Sequence, residues 1–307
     1  MANSSEAQPL LKRGDTVGIV APGFAPAPAR LQAGIKALDR AGYQVRVGEH
    51  VRGLHGYFPA DDSDRAADLN AMVRDREVKA IWFARGGYGS ARLLPHVNWN
   101  ALRRSGKLFI GYSDVTALAM AALRKGGTSW MYGPVVTEIG VDRTYHKAGF
   151  ARLLAGRDDQ LKFRKDRILN PGRAEGRLLG GNLTVLVHML GTRWMPSLDG
   201  SVLVLEDVGE ETYRLDRAIS HLRLSGALDQ VAGICFGRLN PPPARRRFPP
   251  DRSLHAMLKD LTGDLPAPVV YDLSFGHIPG KRVLPLGGWA TLDSATRTLS
   301  LSPRPGR

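Results

Sequence analysis

The sequence predicts an α/β fold, with a parallel sheet and flanking helices followed by a smaller β-rich α+β region. Short apolar runs in the first half alternate with segments of helical spacing, an order typical of a parallel sheet covered on both faces. The second half carries shorter strand-like runs in closer succession, which favours a mixed sheet. Two turns follow strands of the first half, and they lie at the carboxyl ends of the strands, where parallel sheets bind ligands.

The first half contains four predicted strands and three predicted helices. Thr16–Ala21 is nearly continuous in apolar residues and stops before a Pro-Gly pair, as a buried parallel strand does. Helical spacing predicts helices over Arg30–Ala41 and over Asp64–Asp75, and Asp61–Ser63 offers caps for the second. The remaining elements are strands over Tyr43–Val47, Lys79–Ala84 and Leu108–Gly111, a helix over Val115–Arg124 and a turn over Gly126–Ser129.

Composition changes between about Val141 and Arg173, where charged residues are dense and periodic signals are few. We therefore predict an N-terminal α/β domain over 1–140, a linker over 141–173 and a C-terminal β-rich domain over 174–307. The last domain is predicted to hold helices over Leu183–Leu190 and Arg214–Leu224, and strands over Ser201–Leu205, Val231–Phe236, Pro268–Tyr271, Val283–Leu286, Ala290–Leu292 and Thr298–Leu301.

Composition favours a cytoplasmic globular protein. Of the 307 residues 43% are hydrophobic, and the mean hydropathy of −0.20 is ordinary for a soluble chain. No apolar run is long enough to predict a membrane span, and the first residues show no secretory signal. Cys235, the single cysteine, lies in an apolar run and is interpreted as a buried strand residue that forms no internal disulfide.

The formal charge of +14 does not by itself indicate nucleic-acid binding. The lysines and arginines are spread along the chain, and the densest run, 245–247, lies between prolines in what is predicted to be an exposed loop. No zinc-ligand pattern or aromatic RNA-binding motif accompanies this run, so we favour a solvated basic surface and expect no nucleic-acid partner. Such a surface can still steer an acidic small substrate.

Ser113 lies where a short apolar strand turns into a predicted helix. A serine there projects its hydroxyl from a tight turn, and the N–H groups that open the helix favour developing negative charge. This geometry suits a hydrolase nucleophile, although capping of the helix is an equally simple interpretation. The Gly-x-Ser-x-Gly motif of α/β-hydrolases is absent, because Val115 stands two residues after the serine.

The segment Arg85–Gly89 follows a strand, and its glycines let the backbone approach a ligand closely. It matches neither a Walker loop nor a complete dinucleotide fingerprint. Its N–H groups can form half of an oxyanion hole, with the N–H of Asp114 as the other half. A tight turn without a ligand is the alternative.

A serine nucleophile needs a base and a carboxylate to orient that base. Among eight histidines, His277 stands apart in a loop stiffened by Pro279 and bracketed by glycines, although a loop histidine is often only structural. Glu206 ends a buried strand, Asp207 competes with it, and both can instead belong to a solvated acidic turn. No metal-ligand spacing is present, so we expect no metal and no cofactor.

Together these segments resemble the LD-carboxypeptidase family of serine peptidases, which includes muropeptide LD-carboxypeptidases and microcin-immunity peptidases. The resemblance covers nearly the whole chain, with one departure at Gly23, where the family often has serine. The matching segments occur in family order: Gly14–Pro22, Arg85–Gly89, Gly111–Thr116, Gly180–Leu183, Leu205–Glu210, Phe275–His277 and Leu284–Gly287.

The resemblance implies a Ser-His-Glu triad and selects Glu206 over Asp207. Ser113 would be the nucleophile, His277 the general base and Glu206 its orienting acid; the oxyanion hole would come from the N–H groups of Gly87 and Asp114. It also implies a glutamine-amidotransferase-like N-terminal domain, a site in the cleft between domains and a homodimer.

The expected substrate is a cytoplasmic murein tetrapeptide, cut between the L-centre of diaminopimelate and the terminal D-Ala. Arg85 is a candidate by position for binding the terminal carboxylate. One alternative is an immunity-type peptidase that cleaves a peptidyl-nucleotide, for which the loops at 132–141 and 241–250 would be decisive. Another is a non-catalytic protein that binds a small ligand through the glycine loop.

Overall fold

The computed structural model describes residues 8–126, 130–141, 143–240 and 252–304, and two β-sheets form its framework. The strands are β1 (Thr16–Val20), β2 (Gln44–Val47), β3 (Val78–Phe83), β4 (Leu108–Ile110), β5 (Trp130–Tyr132), β6 (Asp159–Lys162), β7 (Ile168–Asn170), β8 (Arg173–Asn182), β9 (Val202–Val208), β10 (Gly233–Asn240), β11 (Val269–Val270), β12 (Leu284–Leu286), β13 (Trp289–Asp293) and β14 (Thr298–Ser302). The helices are α1 (Pro28–Arg40), α2 (Asp62–Arg74), α3 (Trp99–Ser105), α4 (Thr116–Arg124), α5 (Val136–Ile139), α6 (Lys147–Leu154), α7 (Leu183–Met189), α8 (Thr212–Leu224) and α9 (Leu254–Thr262).

The first sheet has six strands in the order β12-β5-β4-β3-β1-β2. Strands β1 to β5 pair in parallel, and β12, from the second half of the chain, pairs antiparallel with β5 at the edge. Strand β1 is buried along its whole length, as expected for a strand covered on both faces. The predicted α/β class with a parallel sheet is confirmed.

The second sheet has eight strands in the order β6-β14-β13-β8-β9-β10-β11-β7. Its centre, from β8 to β11, is parallel, and antiparallel strands complete both sides. The predicted β-rich second region is therefore confirmed as a mixed sheet. Cys235 is buried on β10, where burial raises the pKa of its thiol.

The sequence signals found most elements and missed several. The predicted helices and the first four strands lie within about two residues of those in the structure. Helices α3, α5, α6 and α9 and strands β5 and β8 were not predicted. The segment interpreted as a linker, 141–173, contains α6, β6 and β7, and both strands belong to the second sheet. The turn predicted over Gly126–Ser129 lies largely outside the described residues, and the loop at 241–250 lies wholly outside them.

Helix α4 joins the two sheets through a common core. Every residue from Thr116 to Leu123 is buried, and its apolar side chains belong to a cluster that also includes Phe109 of the first sheet and Leu203 of the second. A helix that is apolar on all sides is stable only inside a protein. Because α4 starts three residues after Ser113, this burial anchors the serine turn. No helix in the described ranges is long and apolar enough to cross a membrane.

Helix α1 packs closely against α5 at Gly34. A Cβ atom at this position would overlap the carbonyl oxygen and side chain of Val136. Glycine normally weakens a helix interior by about 0.5–1 kcal/mol relative to alanine, so its place here is explained by the close approach. The contact also sets the distance between Arg30 on α1 and Glu138 on α5, which line the same cleft.

We expect Gly34→Ala to destabilise the protein by about 2 kcal/mol, because overpacking outweighs the gain in helix propensity. The measurement is urea unfolding followed by circular dichroism. Gln32→Ala, at an exposed position of the same helix, is the matched control and should leave stability unchanged or slightly higher. A stabilised Gly34→Ala variant would contradict the close packing.

Candidate active site

Ser113 has a strained backbone at the end of β4. Its φ of +68° lies in the left-handed region, which residues other than glycine rarely adopt. The residue before it is fully extended, and a short 3-10 helix over Ser113–Val115 follows. The Ser113 side chain caps neither this helix nor α4, so the capping interpretation is not supported. Such a turn exposes the hydroxyl at the carboxyl edge of the sheet.

His277 places its imidazole between the serine and a carboxylate. Its Nε2 lies 3.1 Å from Ser113 Oγ, and its Nδ1 lies 2.7 Å from Glu206 Oε2. The backbone carbonyl of His277 accepts a hydrogen bond of 3.0 Å from the amide of Asn240. Gly276 precedes it with a φ of +101°, and a Cβ atom there would press against the Glu206 side chain. The glycine therefore lets the histidine loop approach the carboxylate.

Glu206 and Asp207 are neighbours on β9 with different partners. Glu206 is fully buried, and its Oε1 accepts a hydrogen bond of 2.7 Å from the Tyr132 hydroxyl. Asp207 instead accepts bonds of 2.9 Å from the Asn182 side chain and from the Thr184 backbone N–H. Successive side chains of a strand point to opposite faces, so only one of these carboxylates can face the imidazole.

The glycine loop lies directly against the serine turn. A Cβ atom at Gly86 would come within 3.3 Å of Ser113 Oγ, and the next residue, Gly87, has a φ of +100°. In the described part of the chain, the N–H of Gly87 has no hydrogen-bond acceptor. The loop thus brings free backbone close to the serine hydroxyl.

The Asp114 side chain ties the glycine loop to the serine turn. Its carboxyl oxygens accept hydrogen bonds from the N–H of Gly89 at 3.1 Å, the N–H of Ser90 at 2.9 Å and the Ser90 hydroxyl at 2.6 Å. Burial raises the pKa of this carboxyl, and the hydrogen bonds oppose that effect. Asp114 therefore fixes the position of the glycine loop relative to the serine turn, the two segments predicted to form the oxyanion hole.

A cleft of about 440 Å³ opens over the serine and the imidazole. Arg30 and Arg85 line it and bring positive charge. Arg85 is held by a hydrogen bond of 3.0 Å to the carbonyl of Ala25 and by packing of its guanidinium over the Phe24 ring. A cluster of three or more side chains suited to hold a metal ion is not found among the residues that the structure describes.

Three residues at the site were not predicted as site residues from the sequence: Tyr132, Tyr112 and Asn182. Tyr132 ends β5 at the same edge as Ser113, and this position could have drawn attention to it. Tyr112 packs its ring 4.7 Å from the imidazole and donates to Glu138 at 2.7 Å. Burial and Glu138 raise the pKa of the Tyr112 hydroxyl. Asn182 lies in a motif segment, but its contact with Asp207 has no signal in sequence.

Comparisons with known proteins extend over almost the whole chain. The profile of the LD-carboxypeptidase N-terminal domain matches residues 17–133, and that of the LD-carboxypeptidase C-terminal domain matches 175–292. The probable murein peptide carboxypeptidase of Bacillus subtilis is 34% identical over 94% of this chain and 92% of its own length. The microcin C7 self-immunity protein MccF of Escherichia coli is 27% identical over 94% of this chain and 93% of its own.

Solved structures agree with these relationships. The crystal structure of muramoyltetrapeptide carboxypeptidase from Oxalobacter formigenes has a TM-score of 0.85 and 33% identity, and the match covers 95% of this chain and 100% of that one. The fold and these matches define a hydrolase of the carboxypeptidase class. The chain belongs to the LD-carboxypeptidase family, as its motifs suggested.

We expect Asp114→Asn to cost about 2 kcal/mol of stability. One of the two carboxyl oxygens becomes an amide NH₂, which would face a backbone N–H that needs an acceptor. The loss is measured by urea unfolding, with Asp39→Asn at an exposed site of α1 as the control. Equal stability of the two variants would show that the carboxyl does not hold the glycine loop.

Proposed function

We propose that this protein is a metal-independent serine carboxypeptidase in which Ser113, His277 and Glu206 form a triad. The observation that carries the proposal is the continuous chain of contacts from Ser113 Oγ to His277 Nε2 and from His277 Nδ1 to Glu206 Oε2, at 3.1 and 2.7 Å. These distances allow proton transfer from the hydroxyl and orientation of the imidazole by the carboxylate. The triad predicted from sequence thus stays a proposal with geometric support.

The reaction proceeds by acyl transfer. Ser113 Oγ attacks the carbonyl carbon of the last amide bond, and His277 Nε2 takes the hydroxyl proton. Collapse of the tetrahedral intermediate breaks the C–N bond, and His277 returns the proton to the leaving amine. Water, activated by the same imidazole, then attacks the acyl-enzyme ester and releases the shortened peptide with the free serine.

The oxyanion of the intermediate needs donors near Ser113. We assign this role to the backbone N–H groups of Gly87 and Asp114. Two observations support the assignment: the close approach of the glycine loop to the serine, and the Gly87 N–H, which has no acceptor among the described residues. The N–H of Ser113 is not available, because it donates to Tyr132 at 3.0 Å.

The proposed substrate is a murein tetrapeptide, cut before its terminal D-Ala during peptidoglycan recycling. The names of the Bacillus and Oxalobacter relatives support this choice. A carboxypeptidase must bind the free terminal carboxylate of its substrate, and we assign this charge to Arg85, with Arg30 lining the same cleft. We further propose a cytoplasmic homodimer with no nucleic-acid or membrane partner, on the basis of the family resemblance. Gel filtration with light scattering tests the dimer.

The first expected outcome concerns the nucleophile. Incubation with L-Ala-γ-D-Glu-diaminopimelate-D-Ala should release D-Ala, and Ser113→Ala should slow the release by about 10⁴-fold or more, because the acyl-enzyme cannot form. Mass spectrometry of the peptide is the measurement. Wild-type activity should survive EDTA, since the proposed mechanism uses no metal.

The same assay separates the alternatives. Ser113→Ala with undiminished release would exclude the serine mechanism. If the wild type does not cleave the tetrapeptide but hydrolyses a peptidyl-adenylate analogue, the protein is an immunity-type peptidase. The similarity to MccF supports this alternative. Binding of either compound without turnover would indicate a non-catalytic protein.

The second expected outcome concerns the terminal carboxylate. We expect Arg85→Gln to raise KM for the tetrapeptide by about tenfold, the value of one charge-assisted hydrogen bond, with little change in kcat. For a substrate amidated at its C-terminus, wild type and variant should have the same KM, because the charge that Arg85 would bind is absent. Arg76→Gln is the matched control, because Arg76 is exposed just before β3 at the opposite edge of the sheet. An unchanged KM would remove Arg85 from the carboxylate site.

A further inference from the structure

The hydroxyl of Tyr132 lies between the serine turn and the buried carboxylate. Strands β4 and β5 are parallel neighbours, with Ile110 opposite Met131, so Tyr132 at the end of β5 lies beside the turn that follows β4. Tyr132 OH is 3.0 Å from the N–H of Ser113 and 2.7 Å from Glu206 Oε1. One buried oxygen atom therefore contacts both the first sheet's turn and the second sheet's acid.

The direction of these two hydrogen bonds follows from their donors. The backbone N–H of Ser113 can only donate, so the tyrosine oxygen accepts it. The single hydroxyl proton of Tyr132 is then directed to Glu206. Burial, with the Glu206 charge, raises the pKa of the Tyr132 hydroxyl, so this proton is retained at neutral pH.

The carboxylate of Glu206 depends on few partners. It is fully buried, and no lysine or arginine in the described ranges forms an ion pair with it. Its Oε2 faces His277, and its Oε1 faces Tyr132 at 2.7 Å and the Asn182 amide at a long 3.5 Å. A buried anion held by so few donors loses much of its stabilisation when one is removed.

The backbone of Ser113 depends on the same hydroxyl. Its left-handed conformation persists only where the surroundings hold it. Thr116 Oγ1 donates to its carbonyl at 2.6 Å, and Tyr132 accepts from its N–H. The tyrosine thus binds one of the two polar backbone groups of Ser113, and Thr116 binds the other.

We propose that Tyr132 is a positioning residue that couples the serine turn to the carboxylate behind His277. This inference rests on the proposed triad and deepens it. Tyr132 does not reach the substrate; it acts by fixing Oε1 of Glu206, so that Oε2 stays directed at the imidazole, and by holding the N–H of Ser113 away from the oxyanion hole.

Tyr132→Phe tests the proposal, because it removes one oxygen and preserves the ring. We expect kcat to fall by about tenfold or more, because one buried hydrogen bond is worth about tenfold and this variant removes two, while KM stays within about twofold. The matched control is Tyr43→Phe, at a half-buried tyrosine just before β2, at the opposite edge of the first sheet. The number of competent sites is counted by titration with a serine-reactive fluorophosphonate, so that partial unfolding does not imitate a fall in kcat.

The pKa of His277 provides a readout that a merely structural role would not move. Loss of the tyrosine donor leaves the carboxylate less stabilised, so it attracts the imidazolium more strongly and raises the pKa of the histidine. In the described structure the ionisable groups around this imidazole also include Tyr112, against its ring, and the Glu138–Lys281 pair behind Tyr112. Arg30 and Arg85 line the same cleft as the imidazole. All of them are unchanged in Tyr132→Phe.

The histidine titration is followed by NMR of the imidazole nitrogens, assigned with His277→Gln. A higher pKa of His277, together with a lower kcat at nearly unchanged KM, supports the coupling. The acid limb of the pH profile of kcat should then move to higher pH as well. An unchanged or lowered pKa of His277 in folded Tyr132→Phe would overturn the proposal. If the wild type cleaves no peptide, the proposed function fails, and the NMR titration still decides the role of Tyr132.

Discussion

Burial of the Glu206 carboxylate is the constraint on which the rest of the site depends. This charge is fully enclosed on β9, and its partners in the described structure are His277, Tyr132 and Asn182. An anion at such depth is costly unless donors surround it. Those donors come from a loop after β11, from the end of β5 and from the end of β8. The carboxylate is therefore tolerated only when both sheets are assembled.

Shared elements of the fold make that assembly cooperative. Strand β12 comes from the second half of the chain but completes the first sheet beside β5. Helix α4 starts in the first half and is buried against both sheets. Hydrogen bonds also connect these elements: the N–H of Asn182, at the end of β8, donates to Thr116 Oγ1 of α4 at 3.0 Å. Serine, carboxylate and imidazole are thus positioned by one continuous core.

Apolar periodicity, glycines and strand ends in the sequence predicted those parts of the fold that depend on neighbouring residues in the chain. Buried strands such as β1 are continuous apolar runs, and the residues of the proposed triad lie in segments with glycine or strand-end signals. Strand β6 was missed because charged residues obscure its alternation: Asp159 occupies a buried position, where it pairs with Arg282. Strand β12 shows no sign in sequence of which sheet it joins. The role of Tyr132 depends on two long-range contacts, which no window of sequence contains.

Strain at Ser113 follows from the same arrangement. A left-handed serine costs about 1–3 kcal/mol, and this cost must be offset by the surrounding structure. Here Tyr132 and Thr116 bind the two polar backbone groups of the serine, and both belong to the core that holds Glu206. The strained turn and the buried charge are therefore stabilised by the same contacts. A hydroxyl held in this way needs little reorganisation to reach a bound carbonyl, because the orientation has been established by folding.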